Sequence, residues 1–496
     1  MVPSPYTNRI TGCGAVARIF ILLPMLEAAR KQHAGRIGVF GIGLAAYWPQ
    51  FAGLRERLEN YQREVEAHIE SLGMAVVSAG LVDSAPEAAA AGQRFAAADL
   101  DLIVCYVGTY ATSSQVLPVV QRARVPVLVL NLQPSEALDY ENTDTGEWLA
   151  NCSTCCVPEI SNAFARARVR FRVVSGRLRD DAAVWKEIED WCRAALVANA
   201  LRSSRIGFLG HTYPGMLDMY SDFTMVTAQT GAHIEILEMC DLDRAVRTVT
   251  DAEVAGKLAA AKSTFTLENV ADDDLDWAAR VAAGLDRLVR DLDLDGLTYY
   301  YRGLDGNPYE RLAAGLILGN SLLTARGIPA SGEGDLKTCL VMLILDRFGA
   351  GGSFTEFYAM DFRENFLLMG HDGPGHLAIS DGKPVLRGLG LYHGKRGSGV
   401  SVEFKVRTGP VTILGLTQTA GGSLRLVAAE GESIPGPTLK IGNTNSRLRF
   451  LLAPAQFVNR WCELAPTHHC ALGVGHLRSP LTRLAELMDL SLFFVC

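Results

Sequence analysis

Long apolar runs are absent. In 496 residues no uninterrupted stretch approaches the roughly 18 apolar residues that a membrane-spanning helix needs, so no membrane partner is expected. Blocks of basic charge are absent too: a formal net charge of −7 without a long Lys/Arg cluster speaks against a nucleic-acid footprint or an anionic membrane surface. Small neutral molecules are the better substrate class. The eleven cysteines are an odd number, scattered without the dense spacing of a disulfide scaffold, which points to a reducing, cytoplasmic compartment. One short apolar stretch, Ala17 to Met25 (ARIFILLPM), is broken by Arg18 and Pro24, and no clean small-residue cleavage pattern follows. It reads as a buried N-terminal helix rather than a secretion signal.

Two familiar motifs are incomplete. Gly41, Gly43 and Ala46 in GIGLAA satisfy a loose G-x-G-x-x-A after a strand, but the next strand, AVVSAGLV, does not itself end in an acid to hold a ribose, and Pro49 stands in the turn. Tight strand-to-helix packing explains these glycines, so no dinucleotide is expected. Cys152, Cys155 and Cys156 in NCSTCC could be half of a zinc site, yet no second CxxC or HxxxH completes it and the nearest downstream histidine is His211. Their expected role is that of small buried side chains.

The length suggests about three domains at ~150 residues each. From Arg36, RIGVF, AVVSAGLV, DLIVCYV and VPVLVLNLQ are β-rich runs, with helical stretches such as Leu54 to Leu72 and PEAAAAGQRFAAA between them. That alternation predicts parallel strands with helical crossovers. At Arg205 the opening recurs as RIGFLGHTYPG, after a helical stretch from Ala183 to Leu201, so a second α/β layer begins near residue 200. Beyond Gly349, glycine becomes frequent, and VSVEFKV, PVTILGLTQ and LRLVAA look like antiparallel strands before a closing helix, LTRLAELMDL. The expected fold class is α/β, with two Rossmann-like doubly wound α/β layer domains (1–177 and 178–345) followed by a β-rich C-terminal domain (346–496).

Three segments carry chemistry in apolar or glycine-rich settings: GEGDLKT (Gly332 to Thr338), FYAMDF (Phe357 to Phe362) and PTHHC (Pro466 to Cys470). Glu333 sits between glycines, where backbone can approach a ligand closely and a carboxylate can project into a cavity. Asp361 interrupts an apolar run, where an ionised carboxylate needs a partner or a cation. His468 and His469 point to opposite sides of an extended backbone, so one of them is a ligand in simple geometry. Without a ligand, the same residues read differently: Glu333 caps a helix beginning near Leu336, Asp361 pairs with Arg363 or Lys337, and the histidines are satisfied core residues.

GEGDLKT closely resembles the Gly-Glu-Gly-Asp-aromatic-Lys-Thr segment of the L-arabinose isomerases. YVGTYATSS with VLNLQP, RIGFLGHTYPGMLD and THHC resemble further segments of that family, from about Arg36 to the end of the chain. The resemblance implies a fucose/arabinose isomerase-like fold and a metal-dependent aldose-ketose isomerase. Such an enzyme moves a proton between C1 and C2 of a pentose or 6-deoxyhexose. It further implies manganese, or another divalent cation such as magnesium or cobalt, on Glu333, Asp361 and His469, with Glu333 and Asp361 as catalytic carboxylates. At Asp361 the arabinose enzymes carry a histidine, and Asp361 looks like the ligand of the related fucose isomerases. The family's other glutamate falls near Tyr301 to Gly303, where this chain has no carboxylate.

Candidate sugar contacts are Tyr47, Trp48, Gln50, Asn131, Gln133, His371, His376 and His468, with Arg302 and Asp305 near the missing carboxylate. The resemblance also implies a homo-oligomer, a hexamer, with each site completed by a neighbour. The competing functions are a non-catalytic sugar-binding or sensory protein and an NAD-linked oxidoreductase, the latter resting on GIGLAA alone.

Overall fold

The structure, a computed structural model, describes residues 35–304, 306–389 and 398–496. The expected helix at Ala17 to Met25 and the candidate contact Asp305 lie outside them.

Five strands, β1 (Arg36–Ile42), β2 (Ala75–Val82), β3 (Leu102–Tyr106), β4 (Val127–Gln133) and β5 (Phe171–Arg177), form a wholly parallel sheet in the order β2-β1-β3-β4-β5. The strand LIVCY is buried at every position, as a sheet covered by helices on both faces requires. The strand order reverses beside β1, so the segments after β1 and β3 border the crevice where such sheets bind ligands.

The next strands are β6 (Arg205–Gly210), β7 (His233–Leu237), β8 (Thr266–Glu268), β9 (Gly296–Tyr300) and β10 (Ala330–Ser331). A second parallel sheet runs β10-β9-β6-β7. The recurrent RIG strands therefore occupy interior positions in two separate parallel sheets, as β1 and β6.

The remaining strands are β11 (Gly351–Asp361), β12 (Phe366–His371), β13 (Val385–Leu389), β14 (Gly399–Glu403), β15 (Gly409–Gln418), β16 (Leu424–Ser433), β17 (Thr444–Phe450), β18 (Cys470–Val474) and β19 (Ser491–Phe494). Strands β15-β18-β11-β12-β17-β16 pair antiparallel, and β16 returns to β15, closing a barrel; β19 adds to β16 in parallel. Closure removes the exposed edges that an open sheet of this size would carry. A smaller sheet, β14-β13-β8, pairs β8 from the middle of the chain with β13 from the C-terminal third.

One buried helix runs through the junction of these parts. Leu336–Arg347 is buried from Leu336 through Asp346, so it reads as apolar all round instead of amphipathic. One core cluster runs from Val104 of β3 through Trp191 of the helix Ala182–Arg202 and Leu340 to Leu414 and Ala471 of the barrel. The N-terminus of Leu336–Arg347 thereby carries the GEGD turn to the mouth of the barrel. No helix among the described residues is long and apolar enough to cross a membrane.

Candidate metal centre

The GEGD turn is conformationally demanding. Glu333 and Gly334 both adopt left-handed backbone angles, φ +59° and +70°, a conformation that is strained for a glutamate and persists only when its surroundings impose it. Here the surroundings do so: Tyr213 donates its backbone N–H to the Glu333 carbonyl at 2.9 Å, and Gly334 donates to the Tyr299 carbonyl at 2.9 Å. A Cβ at Gly334 would lie 2.5 Å from the His211 carbonyl oxygen, so only glycine lets the turn sit this close to the segment after β6. Asp335, not Glu333, caps the helix, accepting the Thr338 N–H at 3.0 Å.

Three adjacent barrel strands supply the rest. In β12-β11-β18, Glu356 of β11 pairs with Gly370, just before His371 at the end of β12, while Thr355 pairs with Cys470, just after His469. One stretch of sheet thus presents His371, Glu356 and His469 side by side. Phe354, two residues before Glu356 and on the same face, packs against both imidazoles at centroid distances of 4.5 and 4.3 Å.

The ring nitrogens define the chemistry. His371 Nδ1 faces the Asp372 backbone carbonyl, with the Asp372 carboxylate at 3.1 Å, and a carbonyl only accepts, so Nδ1 carries the proton. His469 Nδ1 faces Asp335 Oδ2 at 3.0 Å, an oxygen that also accepts the Thr338 hydroxyl at 2.7 Å. In the neutral rings both Nε2 atoms then present lone pairs, and they stand 3.1 Å apart. Around them lie Glu333 Oε1, 4.0 Å from His371 Nε2, Glu333 Oε2, 3.8 Å from His469 Nε2, and Glu356 Oε1, 3.9 Å from His371 Nε2.

Acceptors converging in this way repel one another unless a proton or a cation lies among them. The set of two imidazoles and two carboxylates suits a borderline or hard divalent cation. Each imidazole is also backed by a carboxylate, the arrangement that fixes tautomer and orientation in metal-ligating histidines. Three overlapping groups each bring their ligand atoms within 4.8 Å of one another: Glu333 with His468 and His469, Glu356 with His371 and His469, and Glu333 with His371 and Asp372.

Electrostatics follow the burial. Burial, joined by the nearby His371, pushes His469 down to about 4 despite the hydrogen bond that its Nδ1–H donates to Asp335, so its ring is neutral near pH 7. At His371 burial also disfavours the charge, but the Asp372 hydrogen bond and charge outweigh it and raise the ring above its ordinary range. Asp335 is fully buried, which disfavours ionisation, yet the hydrogen bond to His469 and the nearby Lys337 hold it below the usual carboxylate range.

Of the residues expected to bind metal, the structure brings Glu333 and His469 together and leaves Asp361 elsewhere. Asp361 ends β11, five residues and roughly 16 Å of extended chain beyond Glu356. Its carboxylate accepts the backbone N–H groups of Arg363 and Glu364 at 2.9 and 2.7 Å, closing the turn into β12. His468 turns outward, with Nδ1 2.7 Å from Asp218 Oδ2, and its backbone N–H donates to the same oxygen. That pairing raises His468, although burial opposes the charge.

Among the expected sugar contacts, His371 lies within the cluster that could hold a metal ion. His376 is a buried residue whose Nε2 lies 3.4 Å from Asp346, near the far end of the helix Leu336–Arg347. Arg302 follows β9 by two residues, on the same strand-end edge as Glu333. Tyr47, Trp48, Gln50, Asn131 and Gln133 gather instead at the strand ends of the first sheet. There Trp48 Nε1 donates to Asp83 at 2.7 Å, Gln50 to the Ala46 carbonyl at 2.7 Å, Asn131 to Ser175 at 2.9 Å and Gln133 to the Ser135 carbonyl at 3.0 Å. Sequence reasoning missed Glu356 and the supporting acids Asp335, Asp372 and Asp218. The Asp directly after the Gly-Glu-Gly turn was the one available sign.

Residues 351–491 match the family model of the L-arabinose isomerase C-terminal domain, a span that holds Glu356, His371 and His469. Similarity over more of the chain extends to the L-arabinose isomerase of Nocardioides sp. (strain ATCC BAA-499 / JS614), 24% identical over 408 residues, 79% of this chain and 80% of the relative. The L-arabinose isomerase of Acidothermus cellulolyticus is 22% identical over 409 residues, again 79% and 80% of the two chains. That of Vibrio parahaemolyticus is 23% identical over 339 residues, 65% and 66%.

Proposed function

Because the chain is a divergent member of the L-arabinose isomerase family, we propose that it interconverts an aldose and a ketose, a pentose or 6-deoxyhexose, using a divalent cation held by Glu333, Glu356, His371 and His469. The observation that carries this reading is the pair of imidazole Nε2 atoms 3.1 Å apart, each with its Nδ1 committed to an acceptor, between two carboxylates. Manganese is the cation of choice, with cobalt or magnesium as substitutes compatible with the same donors.

A bound cation supplies Lewis-acid polarisation of the sugar carbonyl, which lowers the cost of negative charge on the substrate oxygens. The chain's residues do the remainder. Glu333 and Glu356 lie 4.0 and 3.9 Å from the same His371 Nε2, so one carboxylate can take the C2 proton and return it to C1 while the other manages the hydroxyl proton. With no carboxylate at Tyr301 to Gly303, Glu356 replaces Asp361 as the second acid-base group. Asp335 and Asp372 hold the imidazoles in one tautomer, and Phe354 excludes water beneath them.

The polar side chains Tyr47, Trp48, Gln50 and Gln133 lie at the strand ends of a different sheet and have no hydrogen bond or ion pair to the proposed metal centre among the described residues. In a homo-oligomer, such as a hexamer, they serve the sugar site of a neighbouring copy. A reducing, cytoplasmic setting suits the scattered thiols.

Elemental analysis of the purified chain, combined with a panel of pentoses, hexoses and 6-deoxyhexoses, tests this. The expected outcome is one divalent ion per chain, aldose-ketose conversion on at least one sugar, and loss of both with chelator. Stoichiometric metal with no conversion on any sugar would favour a binding protein instead, and no metal at all would defeat the proposal.

A further inference from the structure

The NCSTCC segment takes no part in the metal centre, and the structure separates its three thiols. It follows the helix Thr145–Ala150 and leads into the helix Val157–Arg166, beside the crevice at the strand ends of the first sheet. Cys156 turns inward, its Sγ donating to the Thr109 and Ser153 carbonyls, each at 3.5 Å. Cys152 and Cys155 turn toward each other, with their sulfurs 3.1 Å apart.

The loop that carries them is held at several points. Ser135 and Asn151 share a hydrogen bond of 2.5 Å, Asn151 donates to the Glu147 carbonyl at 3.0 Å, and Thr154 donates to Asn131 at 3.3 Å. The sulfurs therefore meet because the fold positions them, and closing them to a bond of about 2.05 Å takes a shift of about 1 Å. The two thiols also differ in access: Cys152 is buried, whereas Cys155 is exposed. An exposed thiol that an incoming disulfide can reach, beside a buried partner that can resolve the adduct, is the arrangement that dithiol exchange needs.

We infer that Cys152 and Cys155 form a reversible intramolecular disulfide by exchange with low-molecular-weight disulfides. In the first step the Cys155 thiolate attacks one sulfur of the reagent. A bond forms to Cys155, the reagent's S–S bond breaks, and the departing thiolate takes up the proton that Cys155 released. In the second step Cys152 loses its proton and its sulfur displaces the remaining reagent thiol from Cys155. Two protein thiols are oxidised and one reagent disulfide is reduced to two thiols. Burial, aided by Cys155, pushes the Cys152 thiol up to about 12, which leaves the opening attack to Cys155 and makes the displacement by Cys152 the slower step. The resulting cystine would border Tyr47, which lies close enough for the thiols to influence its phenol.

The test uses the full chain and oxidised glutathione, with free thiols alkylated under denaturing conditions and mapped by peptide mass spectrometry. The expected result is joint loss of the Cys152 and Cys155 thiols, with a peptide about 2 Da lighter that dithiothreitol restores. The exposed thiols Cys240 and Cys462 serve as internal comparators, and they should take up single glutathione adducts instead. In Cys152→Ser the adduct should persist on Cys155, whereas Cys156→Ser should leave the pair intact. If Cys152→Ser does not fold, the wild-type map alone decides. A stable glutathione adduct on wild-type Cys155 with Cys152 still free would overturn the inference. So would two unreacted thiols at a concentration that modifies Cys240 and Cys462.

Discussion

His371 and His469 meet Nε2 to Nε2 at 3.1 Å, and each has its other nitrogen turned to an acceptor behind it. In the proposed metal centre a shared proton and a cation would compete for the space between them. Burial disfavours the charge on His371, but the hydrogen bond and charge of Asp372 outweigh it and raise the ring above its ordinary range, so a proton competes there more strongly than on an ordinary imidazole. Lowering the pH adds that proton and expels the cation, whereas raising the pH through the His371 pKa releases it and favours binding. Calorimetric titration of manganese at pH 6, 7 and 8 should show affinity rising with pH, by up to about tenfold per unit while the displaced proton is fully bound. A flat profile would mean that the two nitrogens do not share one ligand.

Glu333 and Asp361 should separate cleanly on substitution. Glu333→Gln removes a carboxylate from the centre of the donor set, and turnover should fall by at least about 100-fold with the fold intact. Asp361→Asn acts on the turn between β11 and β12, where the carboxylate accepts two backbone N–H groups. Turnover should be unchanged, with a stability loss of about 1 kcal/mol by urea denaturation. Equal loss of activity in both variants would contradict the placement of Asp361 outside the site.

Much of the architecture was legible in the sequence because it follows local patterns. RIGVF and RIGFL are both strands, the helix starts at Leu336, and the chain turns β-rich after Gly349. Asp361 was misread because its apolar neighbours suggested burial. In the structure β11 has run out of the barrel there, and Met360 and Phe362 are 41% and 72% exposed. Glu356 and His371 were missed as partners for a different reason. Their meeting depends on the register of β12-β11-β18, a relation among residues up to about a hundred positions apart that no local pattern encodes. The bulge between Phe357 and Ala359 adds to this by shifting the alternation within β11 itself.

Asp335 offers a test of tautomer control. Asparagine is as good a helix cap as aspartate, so Asp335→Asn should keep the Thr338 contact and the fold. Its amide can no longer serve as a charged acceptor for His469 Nδ1–H, and an amide N–H turned toward the ring would favour the tautomer protonated at Nε2. That proton would point into the metal centre. Manganese affinity should fall by about 10- to 100-fold while the melting temperature of the metal-free protein changes little. Unchanged affinity would show that Asp335 only caps the helix.

Lys337 is buried and is the second residue of the same helix, with its ammonium donating to the Met219 carbonyl at 3.1 Å, the Tyr220 carbonyl at 3.2 Å and the Ser221 hydroxyl at 2.9 Å. Burial lowers its pKa, and the nearby carboxylates of Asp335 and Asp218 oppose that shift. The three contacts fix the segment that carries Asp218, which in turn holds His468 at the rim of the metal centre. Lys337→Met keeps the length of the side chain but removes the donor to the Met219 and Tyr220 carbonyls and the Ser221 hydroxyl, so the chain should lose about 1–3 kcal/mol of stability, read from the urea midpoint. The released segment should also let His468 move. KM for the sugar should rise more than kcat falls, because Glu356, His371 and His469, proposed to hold the metal, sit on or beside the barrel strands β11, β12 and β18. A variant with reduced stability but unaltered KM would confine Lys337 to a structural role and detach Asp218 and His468 from substrate binding.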